Sequence, residues 1–492
     1  VTLDDLLARC GEPPRFAVTG AAVTITGLTA DSRAVMPGFL FAALPGARAD
    51  GTRFIPAAVA AGAAAVLAPR GLAWPEGTPR VPLLESADPR ALLARLAAAF
   101  HGAQPEVVVA VTGTNGKTST VDFLRQIFAA AGHRAASLGT LGLVAKGFEP
   151  GESLTTPDPV KLHAQMKELA RAGITHLAME ASSHGLDQRR LEGVRLAAAG
   201  FTNLTRDHLD YHGTMEAYRA AKLRLFEALL PPGAPAVLHA DMDAETLAAL
   251  RDIVTRRGLR GIEVGEAGRE VRLLAQAPLP RGQRLTLDVA GTRAEVEVPL
   301  PGRFQADNVL VAMGLALGLG MPREKLLALL PGLKGVRGRM ELAATLPNGA
   351  AIYVDYAHTP DALSRLLAAL RPHVAPGARL HVLFGAGGDR DPGKRPLMGA
   401  AAAAAADMVW VTDDNPRSED PAAIRAAVLA AAPGARDAGA REAAIAAALA
   451  ALGPGDVLAV AGKGHESGQT IAGVTHPFDD AEVVRRLAGM GA

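Results

Sequence analysis

Thr112-Gly113-Thr114-Asn115-Gly116-Lys117-Thr118-Ser119 is the stretch of this 492-residue chain best suited to chemistry. Glycines in such a loop let backbone N–H groups face an anion, and a following helix adds the positive end of its dipole. Lys117 would neutralise β- and γ-phosphates, and the Thr118 hydroxyl would ligate Mg²⁺. The general phosphate-loop pattern carries another glycine where this chain has Val111. The alternative is a plain strand–turn–helix with a surface lysine. Two polar clusters follow, Met179-Glu180-Ala181-Ser182-Ser183-His184-Gly185 and Phe201-Thr202-Asn203-Leu204-Thr205-Arg206-Asp207-His208-Leu209-Asp210. A third is Glu216-Ala217-Tyr218-Arg219-Ala220-Ala221-Lys222. Glu180 offers hard oxygen ligands for Mg²⁺, and His208 is a nitrogen ligand or proton shuttle. Taken singly, each is more often a hydrogen-bonding surface residue. Their position downstream of a phosphate loop favours a site.

Positioning these residues requires a strand before the loop and a helix after it. Glu106-Val107-Val108-Val109-Ala110-Val111 is a β-branched run suited to a strand buried on both faces. Val121, Leu124 and Phe128 then recur near helical spacing. Strands are expected over Ile174–Met179 and Leu196–Phe201, which puts the first two polar clusters at carboxyl ends of strands, where open α/β sheets bind ligands. A helix is expected over Thr214–Leu230, and alternation from Val271 to Val298 predicts antiparallel strands. Beyond Gly338, strands at Ala351–Val354, Leu380–Phe384, Met408–Val411 and Val457–Ala461 alternate with helices at Pro360–Leu370, Pro421–Ala431 and Arg441–Leu452. That alternation predicts a parallel, doubly wound sheet. Earlier, Phe39–Leu44 and Ala63–Ala68 are short apolar runs, with a helix near Pro89–Phe100.

Single cores stop growing at about 250–300 residues, so a chain of this length is expected to hold several domains. The blocks are 1–105, 106–337 and 338–492, all α/β. Hydrophobic residues make up 49% and charged residues 21%, which excludes a disordered chain. The formal net charge of +1 gives no electrostatic case for a nucleic-acid or membrane partner. The single cysteine, Cys10, excludes an internal disulfide and fits a reducing compartment. Val1-Thr2-Leu3-Asp4-Asp5 lacks the basic flank and apolar core of an export signal. No apolar stretch reaches the ~20 residues that span a bilayer. Met398–Ala406, mostly alanine, is expected to be a helix.

Gly113-Thr114-Asn115-Gly116-Lys117-Thr118-Ser119, Glu180-Ala181-Ser182-Ser183-His184, Asn203 to Gly213 and Asp355-Tyr356-Ala357-His358-Thr359-Pro360 together, in this order, resemble the Mur ligase family. The resemblance covers essentially the whole chain. It implies a small amino-terminal UDP-binding domain, a central P-loop ATPase-like domain with a mostly parallel sheet, and a carboxyl-terminal Rossmann-like domain. It implies a cytoplasmic enzyme, expected as a monomer, that uses ATP and two Mg²⁺ ions. Thr118 and Glu180 match the family's ligands for the first ion, and His208 and Lys222 those for the second. The family carbamylates the lysine at the position of Lys222. A free ammonium would repel Mg²⁺, whereas a carbamate would attract it. The same resemblance gives Lys117, His208 and Lys222 catalytic roles. It also assigns Asn308 to adenine, Arg339 to the nucleotide across an interdomain cleft and Asp355 to ribose. In the residues' own terms, Asp307 or Asn308 could instead cap the apolar helix that follows.

Asp414-Asn415-Pro416-Arg417 resembles the signature of the family's diaminopimelate-adding members. That implies Arg390, Asp414, Asn415, Pro416, Arg417, Gly462 and Glu466 around the incoming amino acid. An arginine fork suits a carboxylate, and Asp or Glu suits an ammonium. A βα turn would also explain Asp, Asn and Pro here, but turn rules do not require the arginine. Ser32, the loop Gly46-Ala47-Arg48-Ala49-Asp50-Gly51, Thr155, Thr156, Ser182, Gln188 and Arg190 resemble the part that holds the UDP-MurNAc-peptide. Diaminopimelate-adding members often differ at Ala47-Arg48. The implied reaction joins meso-2,6-diaminopimelate to the D-Glu carboxylate of UDP-MurNAc-L-Ala-D-Glu through an acyl phosphate, with Pro331–Gly338 as a hinge. The alternatives are a lysine- or ornithine-adding member, a folylpolyglutamate synthase, and a nucleotide-gated binding protein that does not consume ATP.

Overall fold

The β-branched run before the phosphate loop forms the strand Val107–Thr112, and the residues after it form the helix Lys117–Ala130. Val121, Leu124 and Phe128 are all buried, as their spacing predicts. The structure, a computed structural model, describes residues 1–11, 23–46, 50–148 and 154–490. Ala47, Arg48 and Ala49, named above for a UDP contact, lie outside the described residues. The chain is α/β and its sheets are mostly parallel. Its described residues form two compact units, Val1–Val264 with Val311–Met321, and Gly265–Leu310 with Pro322–Ala492.

In the first unit, Gly27–Thr29, Phe39–Ala42, Ala65–Pro69 and Leu83–Ser86 make a parallel sheet. The helices Leu3–Arg9 and Pro89–His101 bury Leu6, Leu92 and Leu96 in the same core as Leu40 and Leu67. In the larger sheet, Val107–Thr112 lies between His176–Glu180 and Leu196–Phe201, all parallel. Pro235–His239 and Arg260–Gly265 continue one side, and Ala135–Gly139 the other. Being central, Val107–Thr112 is covered on both faces, and Val108 to Val111 have no exposed surface.

In the second unit, Val271–Leu279, Gly282–Val289 and Thr292–Val298 pair antiparallel, as alternation predicts. Six strands form the other sheet, in the order Glu341–Thr345, Ala351–Asp355, Val457–Ala461, Leu380–Phe384, Met408–Thr412 and Arg436–Gly439. The first pair is antiparallel and the rest parallel, with apolar clusters on both faces. Asp307 and Asn308 do not cap the apolar helix. It begins earlier, at Arg303, and both lie inside it. Gly302 takes φ +85° and breaks the chain just before, and Arg303 pairs with Asp307 one turn on. The expected helix over 214–230 is α-helical only at Met215–Arg224 and widens to a π-turn at Leu225–Leu229. Among the described residues, no helix is long and apolar enough to cross a membrane.

Candidate functional site

The phosphate loop is fastened to the segment after the neighbouring strand. Thr114 N donates to Asn203 O at 2.8 Å, Asn115 N to Asn203 Oδ1 at 3.0 Å, and Thr202 Oγ1 to Asn115 O at 2.7 Å. Gly113 has φ +143°, and a Cβ there would lie 1.9 Å from Thr202 Oγ1. Gly116 (φ +85°) starts the helix without a side-chain cap. The helix's first N–H groups can therefore serve an anion. Lys117 Nζ curls over the loop to Gly113 O and Thr114 O, at 2.9 and 2.8 Å.

Glu180 ends its strand behind this loop, with 1% of its surface exposed. Its Oε1 accepts from Thr118 Oγ1 at 2.9 Å and Thr140 N at 2.8 Å, and Thr140 Oγ1 donates to Oε2 at 3.3 Å. A Cβ on Gly139 would lie 2.1 Å from Oε1, so glycine makes room for the carboxylate. A buried carboxylate beside a hydroxyl on a phosphate loop is an oxygen donor set that fits Mg²⁺. Lys222 is 1% exposed and donates to Gly113 O at 2.7 Å. Burial, then the nearby Lys117 ammonium, holds its amine well below the ordinary lysine range. His208 sits at φ +51° with Nε2 3.4 Å from Asp207 Oδ2. Lys222 Nζ and the His208 ring approach the Tyr218 ring at 4.6 and 6.2 Å. The Tyr218 hydroxyl bonds Thr114 Oγ1 at 3.1 Å, and burial raises it to about 12.

A third group of expected residues joins Glu180. Thr156 Oγ1 donates to Glu180 O at 3.0 Å and accepts from Ser182 N at 3.0 Å. Thr155 Oγ1 lies 3.2 Å from Thr140 Oγ1. Arg190 donates to Thr156 O at 2.6 Å and to Gln188 Oε1 at 2.7 Å. Between them, Arg189 takes φ +61° and pairs with Asp88 at 2.9 Å. Gln188 and Arg190 line a cavity of about 620 Å³, together with Leu28, Asp31, Arg90 and His101. Ser32 is the first residue of the short turn Ser32–Ala34 that follows Asp31, and it does not line this cavity.

In the second unit, Asn308 Nδ2 donates to Gln305 Oε1 at 3.0 Å, and Gln305 Nε2 to Arg339 O at 3.3 Å. The Arg339 guanidinium lies 4.8 Å from the Tyr356 ring centroid, and Asp355 accepts from Met340 N and Ala357 N at 2.7 and 2.8 Å. Asn308, Arg339 and Asp355 are thus drawn together by short local links.

The strand ends of the six-stranded sheet gather the remaining residues. Asn415 Nδ2 donates to Glu466 Oε2 at 3.0 Å. Arg417 takes φ +55°, with its guanidinium on Gly388 O at 2.6 Å. A Cβ on Gly387 would lie 2.9 Å from Arg417 Nη1 and 3.8 Å from Arg390 Cγ, so both arginines flank that glycine. Gly388 N donates to Asn415 O at 2.9 Å, and a Cβ on Gly388 would meet Pro416 O at 1.8 Å. A Cβ on Gly462, at φ +114°, would lie 3.9 Å from Asp414 Cγ. Asp414 Oδ1 is buried without a hydrogen-bond partner. Sequence reasoning gave no role to Thr140, to Tyr218 inside the cluster Glu216–Lys222, or to the buried Lys463. Lys463 stands between Gly462 and Glu466, both named above, and its lack of exposed surface marks it.

Known proteins agree with this distribution of parts. Residues 24–101 match the model described as "Mur ligase family, catalytic domain", 111–316 "Mur ligase middle domain", and 338–464 "Mur ligase, glutamate ligase domain". The chain is 55% identical over 477 residues to the UDP-N-acetylmuramoyl-L-alanyl-D-glutamate--2,6-diaminopimelate ligase of Caulobacter vibrioides, covering 95% of this chain and 96% of that one. It is 53% identical to the enzyme of the same name from Bradyrhizobium diazoefficiens, with 94% and 95% covered. A solved structure of a UDP-N-acetylmuramoyl-L-alanyl-D-glutamate--2,6-diaminopimelate ligase superposes with a TM-score of 0.73 at 32% identity, covering 99% of both chains. With relatives this similar along nearly its full length, and its phosphate loop, buried glutamate and strand-end clusters where the motifs require them, the chain belongs to the Mur ligase family.

Proposed function

We propose that this chain joins meso-2,6-diaminopimelate to the D-Glu carboxylate of UDP-MurNAc-L-Ala-D-Glu at the expense of ATP, in peptidoglycan synthesis. The observation that carries the reading is the strand-end cluster of Asp414, Asn415, Arg417 and Glu466, in a chain 55% identical to a ligase named for diaminopimelate. A distal amino-acid head has both an ammonium and a carboxylate. Carboxylates and arginines in one pocket answer both, whereas lysine would leave the arginines unpaired.

In the first step a D-Glu carboxylate oxygen attacks the γ-phosphorus, and the bond to ADP breaks. The diaminopimelate amine then attacks the acyl carbon. A C–N bond forms, phosphate leaves and a proton is released. Backbone N–H groups of Gly113–Ser119 and the Lys117 ammonium would bind and orient the phosphates. Thr118 and Glu180 would hold one Mg²⁺, and His208 with carbamylated Lys222 a second. When bound, these ions supply charge neutralisation for phosphoryl transfer. Asn308, Arg339 and Asp355 would contact adenine, nucleotide and ribose. Thr155, Thr156, Ser182, Gln188 and Arg190 would hold the peptide and pyrophosphate, two of them from the wall of the 620 Å³ cavity, and Ser32 would contact the UDP. We assign 1–105 to UDP-sugar binding, 106–337 to ATP and 338–492 to the amino acid. We assign the chain to the cytoplasm as a monomer, with neither nucleic acid nor a membrane as partner.

Mass spectrometry of the product from an equal mixture of diaminopimelate, lysine and ornithine tests this. The expected product contains diaminopimelate and requires the UDP-linked dipeptide. Equal incorporation of lysine overturns the assignment. Lys117→Ala is expected to stop phosphate release while the protein stays folded. Unchanged turnover would remove the phosphate loop from the reaction.

A further inference from the structure

Lys463 lies inside the amino-acid cluster with no exposed surface. Lysine is almost never buried unless its ammonium is matched. Here three acceptors match it: Gly468 O at 2.6 Å, Glu466 Oε2 at 3.1 Å and Asn415 Oδ1 at 3.3 Å. Asp414 Oδ1 lies 3.9 Å away and is itself buried without a hydrogen bond. Both side-chain hydrogen bonds to the Glu466 carboxylate, from Lys463 and Asn415, fall on Oε2. Oε1 accepts no hydrogen bond from the described residues. Asn415 is held in turn by Thr470 N on Oδ1 at 2.9 Å.

Count the charges. Asp414 and Glu466 contribute two negatives, and Lys463 returns one positive. Those three groups together leave one negative charge, enough for one ammonium, and Arg390 and Arg417 beside Gly387 are left for a carboxylate. Without Lys463, Asp414 and Glu466 would set two negative charges against that one ammonium. That excess would weaken the hold on a head that carries its own carboxylate, relative to one that carries an ammonium alone.

We propose that Lys463 is a specificity-determining positioning residue of this site. Its buried ammonium fixes Asn415 and Glu466, and it leaves Asp414 and Glu466 one net negative charge, matched to the single ammonium of a zwitterionic head group. The proposal rests on the diaminopimelate reading above, and the test separates the two.

Initial rates of the full-length protein are measured with diaminopimelate and with L-lysine, for the wild type and for Lys463→Met, which keeps the length and apolar stem. Wild-type preference for diaminopimelate is the control. If the wild type lacks it, the functional reading fails first. Given that preference, K463M is expected to raise KM for diaminopimelate about tenfold or more, and to shift the diaminopimelate-to-lysine ratio of kcat/KM toward lysine by about tenfold. KM for ATP is expected to stay within about twofold. In K463M with Glu466→Gln, which removes both charges together, the loss is expected to be smaller than the product of the single losses. If K463M alone does not fold, this charge-neutral pair and Lys463→Gln carry the same comparison. An unchanged ratio in folded protein, or equal rises in KM for ATP and diaminopimelate, overturns the proposal.

Discussion

Lys117 and Lys222 both direct their amines at Gly113 O, from 2.9 and 2.7 Å. Two ammonium groups on one carbonyl oxygen repel, and the buried one gives up its proton more readily. Lys222 is that one, held well below the lysine range first by burial and then by Lys117. A neutral amine has the lone pair needed to add CO₂, and the carbamate formed would be an anion where the ammonium was disfavoured. This supports the proposed modification through the chain's own electrostatics. Folded wild-type protein in ¹³C-bicarbonate is expected to show a carbamate carbon by NMR, absent in Lys222→Ala. The variant is expected to lose at least about a hundredfold in turnover, the scale of losing a transition-state electrostatic contact. A fully active wild-type protein with no labelled carbamate would remove the idea.

The phosphate-loop strand and helix are fixed by a single glycine as much as by propensity. Gly113 takes φ +143°, and its missing Cβ leaves room for Thr202 Oγ1. Gly113→Ala must move the strand end or Thr202, and a residue held in such a backbone region costs about 1–3 kcal/mol. The expected result is a lower melting temperature together with at least about a hundredfold less phosphate release. A variant with wild-type melting and turnover would show that the loop tolerates the shift. The strands and helices carrying the motifs were legible because buried parallel strands are continuous apolar runs, as in Val107–Thr112, Leu380–Phe384 and Val457–Ala461. Ala135–Gly139 was not legible, since alanine, serine and glycine carry little strand preference. It is a strand because it pairs with His176–Glu180. The motif residues were legible by type and order. Thr140, reaching Glu180 across 40 positions, and Lys463, whose role lies in what surrounds it, were not. Spacing along a chain does not report which distant side chains share a buried carboxylate.

At the scale of the whole chain, the first compact unit is not one continuous stretch. It takes Val1–Val264 and then regains Val311–Met321. The returning piece is mostly core, for Val311 is 1% exposed and Ala312, Met313, Leu315 and Ala316 are fully buried. Its glycines mark close packing on the parallel strands. A Cβ on Gly314 would lie 2.8 Å from Val237 Cγ1 and 2.9 Å from Val264 Cγ1, and one on Gly318 2.8 Å from Pro235 Cβ. On the opposite surface, Gly200 leaves space for Val311 and Leu315, with a Cβ there 3.2 and 3.3 Å from their methyl groups. Burying one such side chain contributes about 1.5–3 kcal/mol, and a domain's net stability is only about 5–15 kcal/mol. A fragment ending at Val264 is therefore expected to lose most of its stability. A fragment ending at Met321 keeps the piece and pays only loop-closure entropy for the residues between, about 0.6 kcal/mol per doubling of loop length. Thermal melts followed by circular dichroism are expected to be cooperative for 1–321 and shallow for 1–264. Matching cooperative melts would mean that strands Leu196–Phe201 and Pro235–His239 hold without the helix residues that cover them, and the packing argument would fall.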